Sequence, residues 1–134
     1  MKKTYQGGCH CGAVRFECQL DAAADTSRCN CSMCAKGRYW KSIVRRDEFR
    51  LMSGEDALTD YRFGSGTIHH FFCKQCGTKP FGRGHMEALG GTFYAINVAC
   101  LDGDAPEQFA AREIVFQDGR NNDWATAPSE TRHL

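Results

Sequence analysis

The sequence predicts a mainly β protein, one small domain of strands with short helical turns. Its 134 residues fit one domain and leave little room for a second. Apolar and polar residues alternate along most readable segments, as expected for strands with one buried and one wet face. No window of a dozen residues carries a convincing apolar stripe with the helical period of about 3.6 residues. We therefore place a β core at about residues 5–117 and a polar tail at residues 118–134.

The strands are predicted from these alternating runs. The clearest run covers residues 14–20, where Val14, Phe16, Cys18 and Leu20 share one face. Shorter runs predict strands at residues 39–44, 49–52, 58–63, 67–72, 92–99 and 113–116. Gly64-Ser65-Gly66 lies between two of these runs and is a hairpin signal. Residues 86–89 and 106–109 each predict one helical turn. The tail lacks periodicity, so it is either a covering loop or partly disordered.

The charge balance argues against large charged partners. Seventeen Lys and Arg against sixteen Asp and Glu give a formal charge of +1, which provides no field for nucleic acid or an anionic membrane. Lys2 and Lys3 precede a polar segment instead of the apolar core of a signal peptide. No run approaches the roughly 18 apolar residues of a membrane span. These features predict a cytoplasmic protein with a small-molecule partner, no nucleic acid and no membrane, and they leave its oligomeric state open.

Cysteine is the outlier of the composition. The chain has nine cysteines, an odd number that cannot all pair in disulfides. In a reducing compartment, clustered cysteines are more often metal ligands or redox groups than disulfides. Seven of the nine fall in three clusters, which read Cys9-His10-Cys11, Cys29-Asn30-Cys31-Ser32-Met33-Cys34 and Cys73-Lys74-Gln75-Cys76. Cys18 and Cys100 lie outside these clusters, and we expect both to be core residues.

The first predicted metal site is closed by four thiolates. A C-x2-C turn directs two thiolates at one ion, so Cys73 and Cys76 form half of a tetrahedral zinc site. Cys9 and Cys11 are the natural suppliers of the other half. Spacing alone also allows a different division, in which the 29–34 cluster contributes to the closed site and Cys9 and Cys11 are spare.

The second predicted metal site has three thiolates from one loop. Cys29, Cys31 and Cys34 leave one coordination position for water or substrate, which is typical of a catalytic zinc. We therefore predict two zinc ions per chain, one structural and one catalytic. The alternative is that both ions are structural, with His69 or His70 closing the second shell.

Three motifs occur in a characteristic order over most of the chain. They read Gly7-Gly8-Cys9-His10-Cys11-Gly12-Ala13-Val14-Arg15-Phe16-Glu17, then Cys29-Asn30-Cys31-Ser32-Met33-Cys34, then Phe72-Cys73-Lys74-Gln75-Cys76-Gly77-Thr78. In this order they resemble the glutathione-dependent formaldehyde-activating enzymes, which share their domain with centromere protein V. Residues 97–102 are similar to a late strand of that family.

The resemblance implies a fold, a metal content and a reaction. It implies a zinc-bearing β-tent fold, with a structural ion on Cys9, Cys11, Cys73 and Cys76 and a catalytic ion on Cys29, Cys31 and Cys34. It also implies a carbon–sulfur lyase reaction run in reverse, which joins glutathione and formaldehyde into S-hydroxymethylglutathione. The implied partners are therefore glutathione and an electrophile such as formaldehyde. Residues 79–84 depart from the commonest pattern of the family, and we expect them to reshape the rim of the pocket.

Cationic side chains are needed near the open site. Three thiolates on a divalent ion leave one net negative charge, and a bound substrate thiolate adds a second. Lys36, Arg38 and Lys41 follow the cysteine loop, and at least one is expected to offset this charge or bind a glutathione carboxylate. The thiolate then attacks the electrophilic carbon, and proximity supplies much of the acceleration. No general acid is evident, and Ser32 and His10 are the candidates nearest in sequence.

Two other functions fit the same cysteines. The first is a non-catalytic zinc module that binds protein or nucleic acid, as the centromere relative suggests. Arg45, Arg46 and Arg50 form a local basic cluster, although it resembles a solvated strand edge. The second is a redox or zinc-release switch, for which mild peroxide should release zinc reversibly. Nothing in the sequence selects for the switch.

Overall fold

The computed structural model describes residues 1–134 and is mostly β, which confirms the predicted class. Its ten strands are β1 (Lys3–Gly8), β2 (Arg15–Leu20), β3 (Thr26–Cys29), β4 (Trp40–Arg45), β5 (Phe49–Ser53), β6 (Leu58–Tyr61), β7 (His69–Cys73), β8 (Phe81–Met86), β9 (Gly91–Asn97) and β10 (Ile114–Gln117). Two α-helices of six residues each are α1 (Ser32–Gly37) and α2 (Ala105–Ala110). No helix of the chain is both long and apolar enough to cross a bilayer.

The strands form two open sheets. The small sheet has the strand order β1-β2-β5, and the large sheet has the order β10-β3-β4-β9-β8-β7-β6. Neighbouring strands are antiparallel except β10 and β3, which are parallel. The chain enters the large sheet at β3 and β4, returns to the small sheet for β5, and then completes the large sheet.

The core lies between the inner faces of the two sheets. Phe16 of β2 and Ile96 of β9 are fully buried there. Phe49 of β5 stacks on Tyr94 of β9 with ring centroids 4.0 Å apart, and it lies 4.7 Å from the ring of Phe81 in β8. Burial of a large apolar side chain contributes about 1.5–3 kcal/mol, so these aromatic contacts hold the sheets face to face.

The segments with clear alternation form strands as predicted, with ends shifted by a few residues. The hairpin signal joins β6 to β7, and Gly64 and Gly66 adopt positive φ angles of 59° and 74°. Its loop is longer than predicted because β6 ends at Tyr61 and β7 begins at His69. Both predicted helical turns are present, one as a 3-10 turn at Glu87–Leu89 and one within α2.

The sequence pattern misses three strands, β1, β3 and β8, and the helix α1. β8 contains Gly82 and Gly84, which read as turn residues. A Cβ at Gly84 would lie 2.6 Å from the ring of Phe93 and 2.7 Å from Ile68, so these side chains occupy the space over the glycine. β1 is polar and ends in two glycines, while β3 and α1 are too short to show a period.

The polar tail is a covering loop. The side-chain amide of Asn30 donates a hydrogen bond to Asp118 Oδ1 at 2.8 Å, which holds the start of the tail against the central cysteine loop. Leu134 is buried, and its carbonyl oxygen accepts a hydrogen bond from Arg38 Nη2 at 3.4 Å. The start of the tail is therefore held at Asn30, and its end is held at Arg38, just after the helix α1.

Candidate metal centres

Four cysteines connect the two sheets at one end. Cys9 and Cys11 lie in the loop between β1 and β2, while Cys73 ends β7 and Cys76 lies in the turn that leads to β8. Their Sγ atoms all lie within 4.8 Å of one another. The structure thus brings together the set of four that spacing favours, and it separates Cys9 and Cys11 from the 29–34 cluster. We call these residues the four-cysteine group.

The spacing of the four-cysteine group fits a tetrahedral zinc ion. At a Zn–S distance of about 2.3 Å, the sulfurs of a tetrahedral site lie roughly 3.8 Å apart. The Sγ of Cys11 lies 3.7 Å from that of Cys9 and 3.6 Å from that of Cys73. A set of four thiolates at this spacing needs a cation to offset the repulsion between them. The group could therefore hold zinc.

Hydrogen bonds favour the thiolate forms of Cys9 and Cys76, whereas desolvation and the neighbouring cysteines outweigh a backbone hydrogen bond and raise the pKa of Cys11 to about 11. The backbone N–H of Val14 donates to Cys9 Sγ at 3.3 Å. Gly77 adopts a φ of 75°, the left-handed conformation that lets the turn close after Cys76. The hydroxyl of Thr78 lies 3.4 Å from Cys76 Sγ, and this contact, together with backbone hydrogen bonds at Cys11 and Thr78, lowers the pKa of Cys76 to about 5. The thiolate is the form that binds a metal, so the loop is built for ligation.

A second group combines three cysteines between β3 and β4. Cys29 ends β3, Cys31 is the N-cap of α1, and Cys34 lies in the first turn of that helix. Their Sγ atoms lie within 4.8 Å of one another, and no fourth cysteine, histidine or carboxylate joins them at that distance. Cys18, a core residue, and Cys100 stay outside both groups. This three-cysteine group could hold zinc and leaves one ligand position open.

The three-cysteine group favours a bound cation. The backbone N–H of Cys31 donates to Cys29 Sγ, and that of Cys34 donates to Cys31 Sγ, both at 3.4 Å. Hydrogen bonds from the neighbouring thiols and these backbone contacts lower the pKa of Cys31, whereas sharing the site with Cys29 and Cys31 raises the pKa of Cys34. Three sulfurs this close cannot all ionise without a positive charge among them.

A lysine that the sequence analysis did not assign lies beside the three-cysteine group. Lys79 Nζ lies 2.7 Å from Nδ1 of His70 and 4.0 Å from the centre of the Tyr39 ring. Burial lowers the pKa of Lys79 to about 8, an effect that the nearby Cys34 and Cys31 partly offset. Burial and the charge of Lys79 lower the pKa of His70 to about 4. At neutral pH the ammonium of Lys79 therefore donates a hydrogen bond to a neutral histidine.

The alternation of side chains along β7 explains on which face of the large sheet Lys79 and His70 lie. Phe71 of β7 packs into the core with its ring centroid 5.3 Å from that of Phe81. His70 and Phe72 therefore project from the outer face of the large sheet. Lys79 lies over that face, 6.0 Å from the centre of the Phe72 ring. In the sequence, Lys79 stands out only because it begins the segment 79–84, which departs from the pattern that the cysteine motifs resemble.

The three predicted cationic residues lie near the cysteine loop in different settings. Lys36 is exposed in the last turn of α1. Arg38 is the C-cap of that helix, in the left-handed conformation, and its guanidinium donates to the tail. Lys41 of β4 is half-buried and donates to the side-chain oxygen of Gln117 at 2.9 Å. Its charge partly offsets the increase in the pKa of Cys34, so Lys41 acts on the group directly.

The other donors named from the sequence lie in less favourable positions. His10 is exposed in the loop of the four-cysteine group, and Ser32 is exposed at the start of α1. His69 projects from the opposite face of β7 to His70, and its Nδ1 lies 2.7 Å from Asp60 Oδ2. Neither histidine joins the three-cysteine group, so the alternative in which His69 or His70 closes its shell is not met.

Gly119 in the tail fits tightly between Cys29 and Trp124. A Cβ here would lie 2.5 Å from Cys29 Sγ and 2.7 Å from the Trp124 ring. We expect Gly119→Ala to displace the sulfur and to lower the zinc content from the predicted two ions per chain towards one, measured by mass spectrometry of the metal. A Cβ at Gly37 meets nothing within 4 Å, so Gly37→Ala is the control and should keep both ions. Two ions in Gly119→Ala would mean that Trp124 moves instead.

Comparison with known proteins extends over both groups. Residues 4–118 match the family described as glutathione-dependent formaldehyde-activating enzyme. Among solved structures, the crystal structure of a Rhodobacter sphaeroides protein is 34% identical in sequence and has a TM-score of 0.71. That similarity covers 84% of this chain and 99% of the other. The matched residues include all seven clustered cysteines and the strands that carry them.

Proposed function

The chain belongs to the family of glutathione-dependent formaldehyde-activating enzymes, and from this premise we propose that it is a zinc-dependent carbon–sulfur lyase acting on a glutathione adduct. The proposed reaction joins glutathione and formaldehyde into S-hydroxymethylglutathione, and one domain carries it out. The single observation that carries the proposal is a group of three convergent thiols with no fourth protein ligand and a half-buried lysine whose charge acts on it. A closed, purely structural metal site has no need of either feature.

We assign different roles to the two cysteine groups. Cys9, Cys11, Cys73 and Cys76 would hold a structural zinc ion, and Cys29, Cys31 and Cys34 would hold a catalytic one. A zinc ion with three thiolate ligands has room for a fourth sulfur and stabilises an incoming thiol as its thiolate at neutral pH. The hydrogen bonds of the three-cysteine group to backbone N–H groups fix the ligands in place before substrate arrives.

Nearby cations balance the negative charge of this site. Lys79 is held between the imidazole of His70 and the ring of Tyr39, so its ammonium stays in one place. Lys41 adds a second positive charge near Cys34. We propose that Lys36 and Arg38, which are exposed around the same loop, bind the carboxylates of glutathione. A substrate with two carboxylates and a thiol would thereby contact positive side chains around the loop and the three-cysteine group at its centre.

The covalent step needs one proton to move. The thiolate sulfur attacks the carbonyl carbon of formaldehyde, the carbon–sulfur bond forms, and the π electron pair of the carbonyl moves to oxygen. Lys79 Nζ donates a proton to this oxygen. It then takes up a proton from solvent, which replaces the one that the thiol released, so the protons balance. The atoms of glutathione and formaldehyde are then all in the product. Lys79 suits this role because it is a fixed donor beside the cysteines.

The proposal is tested by measuring exchange, because the adduct also forms without an enzyme. Zinc-loaded protein is added to glutathione and ¹³C-labelled formaldehyde at equilibrium, and exchange between free and bound formaldehyde is followed by NMR. We expect two zinc ions per chain and exchange well above the uncatalysed rate. Two zinc ions without acceleration would favour the alternative function, a non-catalytic zinc-binding interaction module.

Lys79→Met tests the proposed proton donor, because it removes the charge and keeps the length of the side chain. We expect kcat/KM to fall by about ten- to a hundredfold, since a hydrogen bond to a charged group contributes about 1.5–3 kcal/mol. The zinc content should stay at two ions. Lys3→Met removes an exposed lysine from β1 and should keep full activity. An unchanged kcat/KM in Lys79→Met would exclude Lys79 from the reaction.

A further inference from the structure

A groove between the two sheets lies apart from both cysteine groups. It has a volume of about 590 Å³ and lies between β5, at the edge of the small sheet, and the inner face of the large sheet. Seven apolar side chains line it, namely Phe49, Leu51, Met52, Leu58, Phe71, Phe81 and Tyr94. No cysteine lines it, and His70 and Phe72 project from the opposite face of the large sheet. We call this feature the aromatic groove.

The walls of the aromatic groove are fixed by contacts within the core. Phe49 stacks on Tyr94, and both side chains remain half-buried. Met52 beside them is 47% exposed. The volume lies in the range of small-molecule sites, which is about 300–1,000 Å³, and such sites combine aromatic walls with a few polar groups. The walls therefore suit a flat or branched apolar body.

Arg83 supplies a positive charge with unused hydrogen-bond donors. It lines the groove, and its guanidinium carbon lies 5.1 Å from the centre of the Phe71 ring. None of the ion pairs of the protein involves Arg83, and its side chain makes no hydrogen bond within the chain. A guanidinium stacked on a ring keeps its planar set of N–H donors free, and that set matches the two oxygens of a carboxylate.

We propose that the aromatic groove binds a small apolar monocarboxylate, with its aryl or branched aliphatic body against the rings and its carboxylate on Arg83. Glu55 also lines the groove and is exposed, so its negative charge disfavours a second carboxylate or a phosphate on the ligand. This site is independent of the proposed reaction, because the three-cysteine group acts from the other face of the large sheet.

The proposal is tested with phenylacetate as the probe. The zinc-loaded full chain is titrated and followed by amide chemical shifts in NMR. We expect saturable shifts in β5 and β8, with a Kd of about 1 mM or lower, and at least about tenfold weaker binding to Arg83→Gln. Arg83→Lys keeps the charge without the planar fork and should fall between the two. Arg50→Gln changes an exposed arginine on β5 and should bind as the native chain does.

Several outcomes would overturn this assignment. One is the absence of saturable shifts, and another is equal binding by Arg83→Gln. Tighter binding of phenethylamine, which carries the same ring on a cation, would reverse the inferred charge of the ligand. If Arg83→Gln does not fold, Arg83→Lys and phenethylamine still decide the question. Sedimentation of the same samples provides a further check, since a dimer that Leu51→Asp dissociates would show that a second copy occupies the groove.

Discussion

Cys11→Ser is expected to lower the midpoint of thermal unfolding by about 15 °C or more and to leave one zinc ion per chain. Loss of a structural zinc removes several kcal/mol of a total stability of about 5–15 kcal/mol, and each kcal/mol shifts the midpoint by about 2–5 °C at this chain length. Cys11 is exposed, so the thiol contributes little to the core apart from its place among the four sulfurs. Circular dichroism and metal analysis of the same sample measure both effects.

The neighbouring residue provides a control for this change. His10 is also exposed and lies between the two cysteines of the loop, but it is in neither group. His10→Ala should therefore keep two zinc ions and a midpoint within about 2 °C of the native chain. A Cys11→Ser protein with two zinc ions and a native midpoint would contradict the structural role of the four-cysteine group.

Cys31→Ser is expected to reduce kcat/KM for the glutathione and formaldehyde reaction by at least about a thousandfold, because the open site loses its ion and the bound thiol loses its activation. The zinc content should fall to one ion, whereas the unfolding midpoint should move by only a few degrees. Cys31 is the N-cap of a short helix, and its hydrogen bonds are to Cys29 and Cys34 of the same loop, so its loss should leave the packing between the sheets intact.

The two cysteine variants should show opposite patterns. Below its lowered midpoint, Cys11→Ser should retain the second ion and much of the activity, whereas Cys31→Ser should be stable and inactive. Cys18→Ala removes a thiol that lies in neither group and should keep both ions and the activity. Substantial activity in Cys31→Ser would show that the reaction does not depend on the three-cysteine group.

The predictable part of the fold is the part with local patterns. The strand at residues 14–20 alternates cleanly, because one of its faces forms the core and the other meets water. β8 could not be found in this way, since Gly84 is required by the ring of Phe93, which comes from a neighbouring strand. The reason for that glycine lies in tertiary packing and is absent from the sequence around it.

In the candidate site, too, the residues set by local spacing could be predicted and those set by tertiary structure could not. Cysteines two or three residues apart converge through local turns, so spacing predicts the three-cysteine group and each half of the four-cysteine group, whereas the fold decides that the two halves meet. Lys79 is different because its position depends on the register of the large sheet. The carbonyl oxygen of Lys79 accepts a hydrogen bond from the Asn97 side chain, and Asn97 pairs with Lys41 across β4 and β9. No local pattern encodes a relation between this turn and two distant strands.

The four-cysteine group also bears on how the chain assembles. Cys11 and Cys73 are 62 positions apart in the sequence, and their sulfurs are in contact. Closing a loop of this length costs about 4 kcal/mol of chain entropy. A metal ion bound early would offset this cost before the long-range strands pair. The chain without metal has to make the same closure through weak contacts alone. A metal ion on these four sulfurs would therefore favour early closure of this loop, as an early disulfide does in proteins that depend on one.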